Sequence, residues 1–277
     1  MPFSILLQGY PTSDIPVAHV QGPSVQGMFL HLLQEVDPAV NQRLHDDSRY
    51  RPYTLSPLGI GTRHNSFQGF YLPRQQMLAR KTPCYLRITL LDDALFPTFR
   101  QYFLERSEPT FRLGETEFVV TGILETPPHA NAPQWTQYRS YDELINRASQ
   151  HRSMTLHFLT PTSFGHGDVD VPLPVPRLVF QSYLKRFQEF CASPFLPDVL
   201  EQIDLYVGVA QIEHLRTEMI KTKRIMLQGF LGEVRFEISK KASPTLVSQI
   251  QLLADFAFFG GTGKKTTVGM GQTARIA

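Results

Sequence analysis

Cysteine is scarce in this chain: its 277 residues hold two, Cys84 and Cys191, far apart and each among apolar neighbours. Two isolated thiols exclude a disulfide framework and fit reduced, buried side chains in a cytoplasmic protein. No Cys-x-x-Cys and no His-Glu-x-x-His is present, so no zinc site is expected, and no other metal or cofactor. Apolar runs long enough to span a bilayer are missing, which argues against a membrane partner. Met1-Pro2-Phe3 lacks a basic region and a cleavage site, so no signal peptide is expected. Tryptophan occurs once against 20 phenylalanines, which leaves aromatic packing to phenyl rings.

What is present is an ordinary globular composition. Hydrophobic residues make up 42% and charged residues 19%, enough for one large core or two of common size. The net charge of +2 hides an asymmetry. From Glu213 onward ten bases face five acids, a charge of +5, which leaves −3 for residues 1–212. A basic third on a mildly acidic body suits a polyanionic partner; a solvated basic surface has the same composition.

The order of elements is repeated. Phe3 to Leu7 reads as a strand. Gly22-Pro23 then starts a helix with Val25, Met28, Phe29, Leu32 and Leu33 at helical spacing. Asp37-Pro38 starts a second helix running toward Leu44 and His45. Tyr53 to Ile60 reads as a strand, and Cys84 to Leu91 alternates as a half-buried strand does. Leu95, Phe96, Phe99, Tyr102 and Phe103 mark a helix, and Phe118 to Leu124 a closing strand. Residues 127–150 read as a linker: a Pro-rich run, Pro127 to Pro133, then a short helix from Tyr141 to Ala148. Beyond it come a strand (Ser153 to Thr160), a helix (Val179, Tyr183, Phe187, Phe190), strands at Leu205–Ile212 and Ile225–Ile238, a helix (Val247, Ile250, Leu253, Ala254) and a last strand from Thr267 to Ile276. Both halves follow strand, helix, strand, strand, helix, strand. The expected fold is therefore α+β, two tandem ferredoxin-like βαββαβ domains over residues 1–126 and 151–277.

Near the end lies a glycine-rich run, Gly260-Gly261-Thr262-Gly263-Lys264-Lys265-Thr266-Thr267-Val268-Gly269-Met270-Gly271. Bare amides and two ammonium groups beside a strand suit a phosphate chain; spare glycines in a flexible tail are the plainer reading. A nucleotide-binding P-loop is excluded, because Lys265 rather than Ser or Thr follows Lys264 and Phe258 stands where its first glycine is needed.

Acid–base chemistry has one leading place, the stretch from Arg43 through His45, Arg49 and Tyr50 to Arg51. An imidazole moves protons near neutral pH, and arginines stay cationic. These are parts for a metal-free ribonuclease, in which the RNA 2′-hydroxyl attacks the adjacent phosphorus. From the residues alone, the plainer reading of His45 is a helix-end histidine stabilising the macrodipole or meeting Asp46 or Asp47. His31 is a second candidate and a helix-surface residue on the plainer view. His64 sits in a loop-like stretch. A small-molecule enzyme on the same scaffold stays open.

Gln26-Gly27-Met28-Phe29, Asp37-Pro38, Leu44-His45, Tyr53-Thr54-Leu55-Ser56-Pro57 and the run Gly260 to Gly271 follow one another in that order. Together they resemble the CRISPR-associated endoribonuclease that processes precursor CRISPR RNA, the repeat-cleaving member of the RAMP superfamily. The likeness covers essentially the whole chain. It implies two ferredoxin-like domains facing each other across a cleft. It also implies metal-independent cleavage of the repeat, leaving a 2′,3′-cyclic phosphate and a 5′-hydroxyl. His45 falls on the family's general acid/base histidine, and Arg51 near a lysine that steadies the phosphate. The tyrosine that some members carry on the first helix has no match, since Leu30 stands there; either Tyr50, His31 or another group replaces it, or the site is slower. Gly260, Gly261, Gly263, Lys264, Lys265, Thr266, Gly269 and Gly271 would hold RNA or pack beside the helix of His45. Lys223, Arg224 and Phe230 would grip a stem or a base. Repeat RNA is the implied partner, with CRISPR effector proteins and a second copy of the chain as further ones. A non-cleaving RNA-binding subunit of a CRISPR ribonucleoprotein is the alternative.

Overall fold

The computed structural model describes residues 1–20, 22–46, 50–60, 76–125, 135–221 and 226–276. The chain divides into two compact units, Met1–Tyr138 with Thr267–Gly269, and Arg139–Thr266 with Met270–Ala277.

In the first unit the chain runs β1 (Phe3–Pro11), β2 (Ile15–Pro16), α1 (Pro23–Val36), α2 (Pro38–Asp46), β3 (Tyr53–Leu55), β4 (Gly59–Ile60), β5 (Met77–Leu78), β6 (Cys84–Leu90), α3 (Leu95–Leu104), β7 (Thr110–Leu113), β8 (Thr116–Leu124) and β9 (Gln137–Tyr138). The main sheet is antiparallel in the order β3-β6-β1-β8-β7. The four strands β3-β6-β1-β8 and the two long helices make a ferredoxin-like unit.

Proline in the first turn pre-sets φ for α1 and lacks only an amide that had no helical partner. The five side chains expected on its inner face, Val25, Met28, Phe29, Leu32 and Leu33, are all buried in the unit's core. Each contributes about 1.5–3 kcal/mol over exposure. Asp37 ends α1 and launches α2: its amide donates to Leu33 O at 2.8 Å, and its Oδ1 accepts from Ala39 N at 2.9 Å.

Several strands depart from expectation. Tyr53 to Ile60 is broken into β3 and β4 by Ser56-Pro57-Leu58, where Pro57 cannot donate to a ladder. β6 is buried on both faces rather than half-buried. Its polar face holds the wholly buried Arg87, whose Nε donates to Ser4 Oγ at 2.8 Å and whose guanidinium lies 5.3 Å from the centre of the Trp135 ring. The hairpin strand β7 was not foreseen.

Of residues 127–150, those numbered 127–134 lie outside the described residues. β9 pairs with β1 through Phe3 and Tyr138. The helix α4 (Tyr141–Asn146) starts at a capping box between Ser140 and Glu143.

The second unit continues with β10 (Ser153–Thr162), β11 (Phe164–His166), β12 (Val169–Val171), α5 (Pro176–Phe190), α6 (Val199–Tyr206), β13 (Val207–Lys221), β14 (Met226–Ile238), α7 (Pro244–Gly260) and β15 (Thr273–Ile276). Its sheet is antiparallel in the order β13-β14-β10-β15, again ferredoxin-like. The expected strand from Leu205 begins instead at Val207. Leu205 and Tyr206 end α6, a helix that buries Val199 and Ile203 at helical spacing and leaves Leu205 73% exposed. The last strand is also shorter than expected, because Thr266–Val268 form a 3-10 turn and Gly269 and Gly271 take positive φ.

Candidate functional site

His45 lies in the last turn of α2, next to Leu44, which anchors that helix in the core. The side chains of Arg43 and His45, and residues 47–49, lie outside the described part, as do His64, Lys223 and Arg224. Tyr50 and Arg51 are half-buried just ahead of β3. Two residues on, Tyr53 is buried against Phe29, ring centroids 4.6 Å apart. Burial raises the Tyr53 phenol above its ordinary pKa, while the hydrogen bond from Gln26 and the positive charge of Arg51 pull it down. Leu30 packs against the core and brings no polar group.

His31 sits elsewhere on α1, exposed, in a surface network. Its Nε2 is 3.0 Å from Glu35 Oε1, and Arg106 Nη2 is 2.7 Å from Glu35 Oε2. The Arg106 guanidinium in turn lies 3.9 Å from the centre of the Tyr102 ring.

Six amides of the glycine-rich run are engaged within the second unit. The amides of Gly261, Thr262, Gly263, Lys264, Met270 and Gly271 donate to Ala257 O, Gly271 O, Ser182 Oγ, Ser163 O, Lys265 O and Pro161 O. Thr262 Oγ1 meets Tyr183 Oη and Thr273 Oγ1, both at 2.6 Å, in a buried chain of hydroxyls. Burial raises the Tyr183 phenol, so it stays protonated and able to donate. Arg186 donates to the carbonyls of Gly260 and Gly261 (3.1 Å), which the end of α7 leaves without helical partners, and to that of Gly263 (3.3 Å) in the loop beyond. Glycine is required at position 271: φ is +68°, and a Cβ there would lie 2.0 Å from Thr262 O.

The two lysines are not equivalent. Lys264 Nζ is paired with Asp170. Lys265 is exposed, with φ +61°, and has no ion pair among the described residues. Thr266 is buried, and Thr267–Gly269 belong to the first unit. There Gln26 Nε2 donates to both Tyr53 Oη and Thr267 Oγ1, each at 3.1 Å.

Two expectations are corrected. Phe230 is wholly buried, its ring 4.9 Å from that of Phe158, and cannot stack on a base. Cys191 is partly exposed, while Cys84 is buried. Sequence reading missed Arg186, Tyr183 as a hydrogen-bond partner, and Gln26. Arg186 had a readable signal, since it falls on the α5 face of Val179, Tyr183 and Phe187, where a cation needs acceptors. Among the described residues, no group of three or more His, Cys, Asp or Glu is placed to hold a metal ion. None of the described helices is long and apolar enough to cross a membrane.

Comparison with known proteins places this arrangement. The CRISPR Cas6 N-terminal domain matches residues 1–146, and the CRISPR-associated endoribonuclease Cas6 domain matches residues 156–273. The chain belongs to the Cas6 family. A Cas6 product complex superposes with a TM-score of 0.81 at 28% identity, over 100% of both chains. Thermus thermophilus Cas6 superposes at 0.70 with 27% identity, over 100% of this chain and 98% of that one. The CRISPR-associated endoribonuclease Cas6 of Streptococcus thermophilus is 25% identical over 131 residues, 47% of this chain and 53% of the relative, so the match spans about half of that protein. Cas6 membership accounts for the order of the motifs and for the paired ferredoxin-like units.

Proposed function

We propose that this Cas6 protein cleaves the repeat in precursor CRISPR RNA without a metal ion, using the RNA's own 2′-hydroxyl as nucleophile. One observation carries the reading: the two Cas6 domains match in order and together cover residues 1–146 and 156–273. The nucleophile and leaving group both belong to the substrate. The protein's task is to align them, move protons and stabilise charge.

His45 moves the protons, and Arg51 steadies the phosphate. Tyr50 takes the place of the tyrosine that Leu30 cannot supply, because His31 is already engaged with Glu35. Lys265, exposed and unpaired with any described acid, meets the RNA backbone. The O2′–P bond forms as the P–O5′ bond breaks, leaving a 2′,3′-cyclic phosphate and a free 5′-hydroxyl. CRISPR effector proteins and a second copy of the chain are the further partners of this reading. Sedimentation with and without RNA reports on the second copy.

Incubation with repeat RNA in EDTA tests the activity. Cutting is expected, together with no cutting of RNA carrying a single 2′-deoxynucleotide at the cleavage position. His45→Ala is expected to bind RNA as before and to lose about 10²–10⁴ in rate. RNA binding without cutting by the unaltered chain would instead establish a non-catalytic RNA-binding subunit.

A further inference from the structure

We propose that Gln26 is a positioning residue for RNA cleavage, holding the Thr267–Gly269 segment in register with α1 and β3; the inference rests on the activity proposed above. A carboxamide nitrogen carries two N–H groups, so Gln26 Nε2 can serve Tyr53 Oη and Thr267 Oγ1 at once, each at 3.1 Å. Both acceptors are fixed. Tyr53 is 1% exposed and needs a partner for its hydroxyl. Thr267 is the middle residue of the 3-10 turn Thr266–Val268, whose Val268 is buried.

A second contact holds the same segment. Gly269 has φ +97°, and a Cβ on it would stand 3.2 Å from Pro57 N, so its backbone lies directly against the Pro57 corner between β3 and β4. Thr267–Gly269 is thus pinned at two points within the first unit.

Tyr53 stands two residues beyond Arg51, the cation assigned above to the phosphate. The Gln26 amide therefore orients the backbone that leads to Arg51. Binding of a long RNA is spread over many contacts, whereas alignment for in-line attack is sensitive to shifts of an ångström. Loss of Gln26 should therefore weaken the chemical step more than binding.

The test compares single-turnover rates and KM for repeat RNA among Gln26→Ala, Thr267→Val, Thr267→Ser and the Gln26→Ala/Thr267→Val pair, with melting temperatures alongside. Gln26→Ala and Thr267→Val should each lower the rate about tenfold with KM within about twofold. Thr267→Ser, which keeps the hydroxyl, should restore it. The pair should lose no more than either single variant, as coupled partners do. Unaltered rates in Gln26→Ala, additive losses in the pair, or a rate loss matched by equal losses in KM and melting temperature would overturn the inference while leaving the activity standing. A natural chain that does not cut would overturn both.

Discussion

Lys264 and Lys265 are neighbours in sequence and differ in what they are free to do. Lys264 is paired with Asp170, on the strand β12. Lys265 projects from a left-handed backbone position without an ion pair among the described residues. Lys265→Ala is therefore expected to weaken RNA binding and to flatten the dependence of log affinity on log salt by about 0.7. Lys264→Ala should leave that slope nearly unchanged; fluorescence anisotropy across a salt series measures both.

Arg186 belongs to the same scale. Replacing it with Met removes its hydrogen bonds to the carbonyls of Gly260, Gly261 and Gly263. The expected cost is at least about 3 kcal/mol, read from urea unfolding. The difference between the lysines was not legible beforehand, whereas Arg186 was marked by its place on the apolar face of α5. Asp170 and Lys264 are separated by 94 positions, and nothing local in either stretch announces the pair. The glycines did announce close backbone approach, and that part was sound. Gly271 comes up against the Thr262 carbonyl, Gly263 against that of Ser163, and Gly269 against Pro57.

At the scale of elements, β6 governs the behaviour of the thiols. Cys84 is its first residue, and burial pushes its thiol up to about 12. In the native protein a thiol reagent at mild pH should label Cys191 only, and both cysteines after denaturation. The same shift makes stability pH-dependent in a definite direction. Above the ordinary thiol value of 9.0 the unfolded chain gives up the Cys84 proton while the folded chain keeps it until about 12. The unfolded state then binds fewer protons, and stability falls as pH rises through that window. Cys84→Ala should flatten the alkaline fall in denaturant midpoint; an unchanged slope would contradict the assignment. α1 was readable in detail because its start signal and its apolar period agree. α6 was not, since Leu205 continues the apolar run into β13 and an exposed leucine at a helix end looks the same in sequence as the first residue of a strand.

At the scale of the whole molecule, the repeated βαββαβ order could be read from hydrophobic period and turn residues, and it places both Cas6 domains in register with the two sheets. The chemistry is less legible because it depends on a few side chains that no period marks. His45 stands out only by its place beside Leu44 and ahead of Arg51. The measurement that bears most directly on the account is mass spectrometry of the ends produced from repeat RNA in EDTA. The account expects a 2′,3′-cyclic phosphate on the upstream fragment and a 5′-hydroxyl on the downstream one, both lost in His45→Ala. A 3′-hydroxyl with a 5′-phosphate, or cutting only when a divalent metal is added, would contradict it.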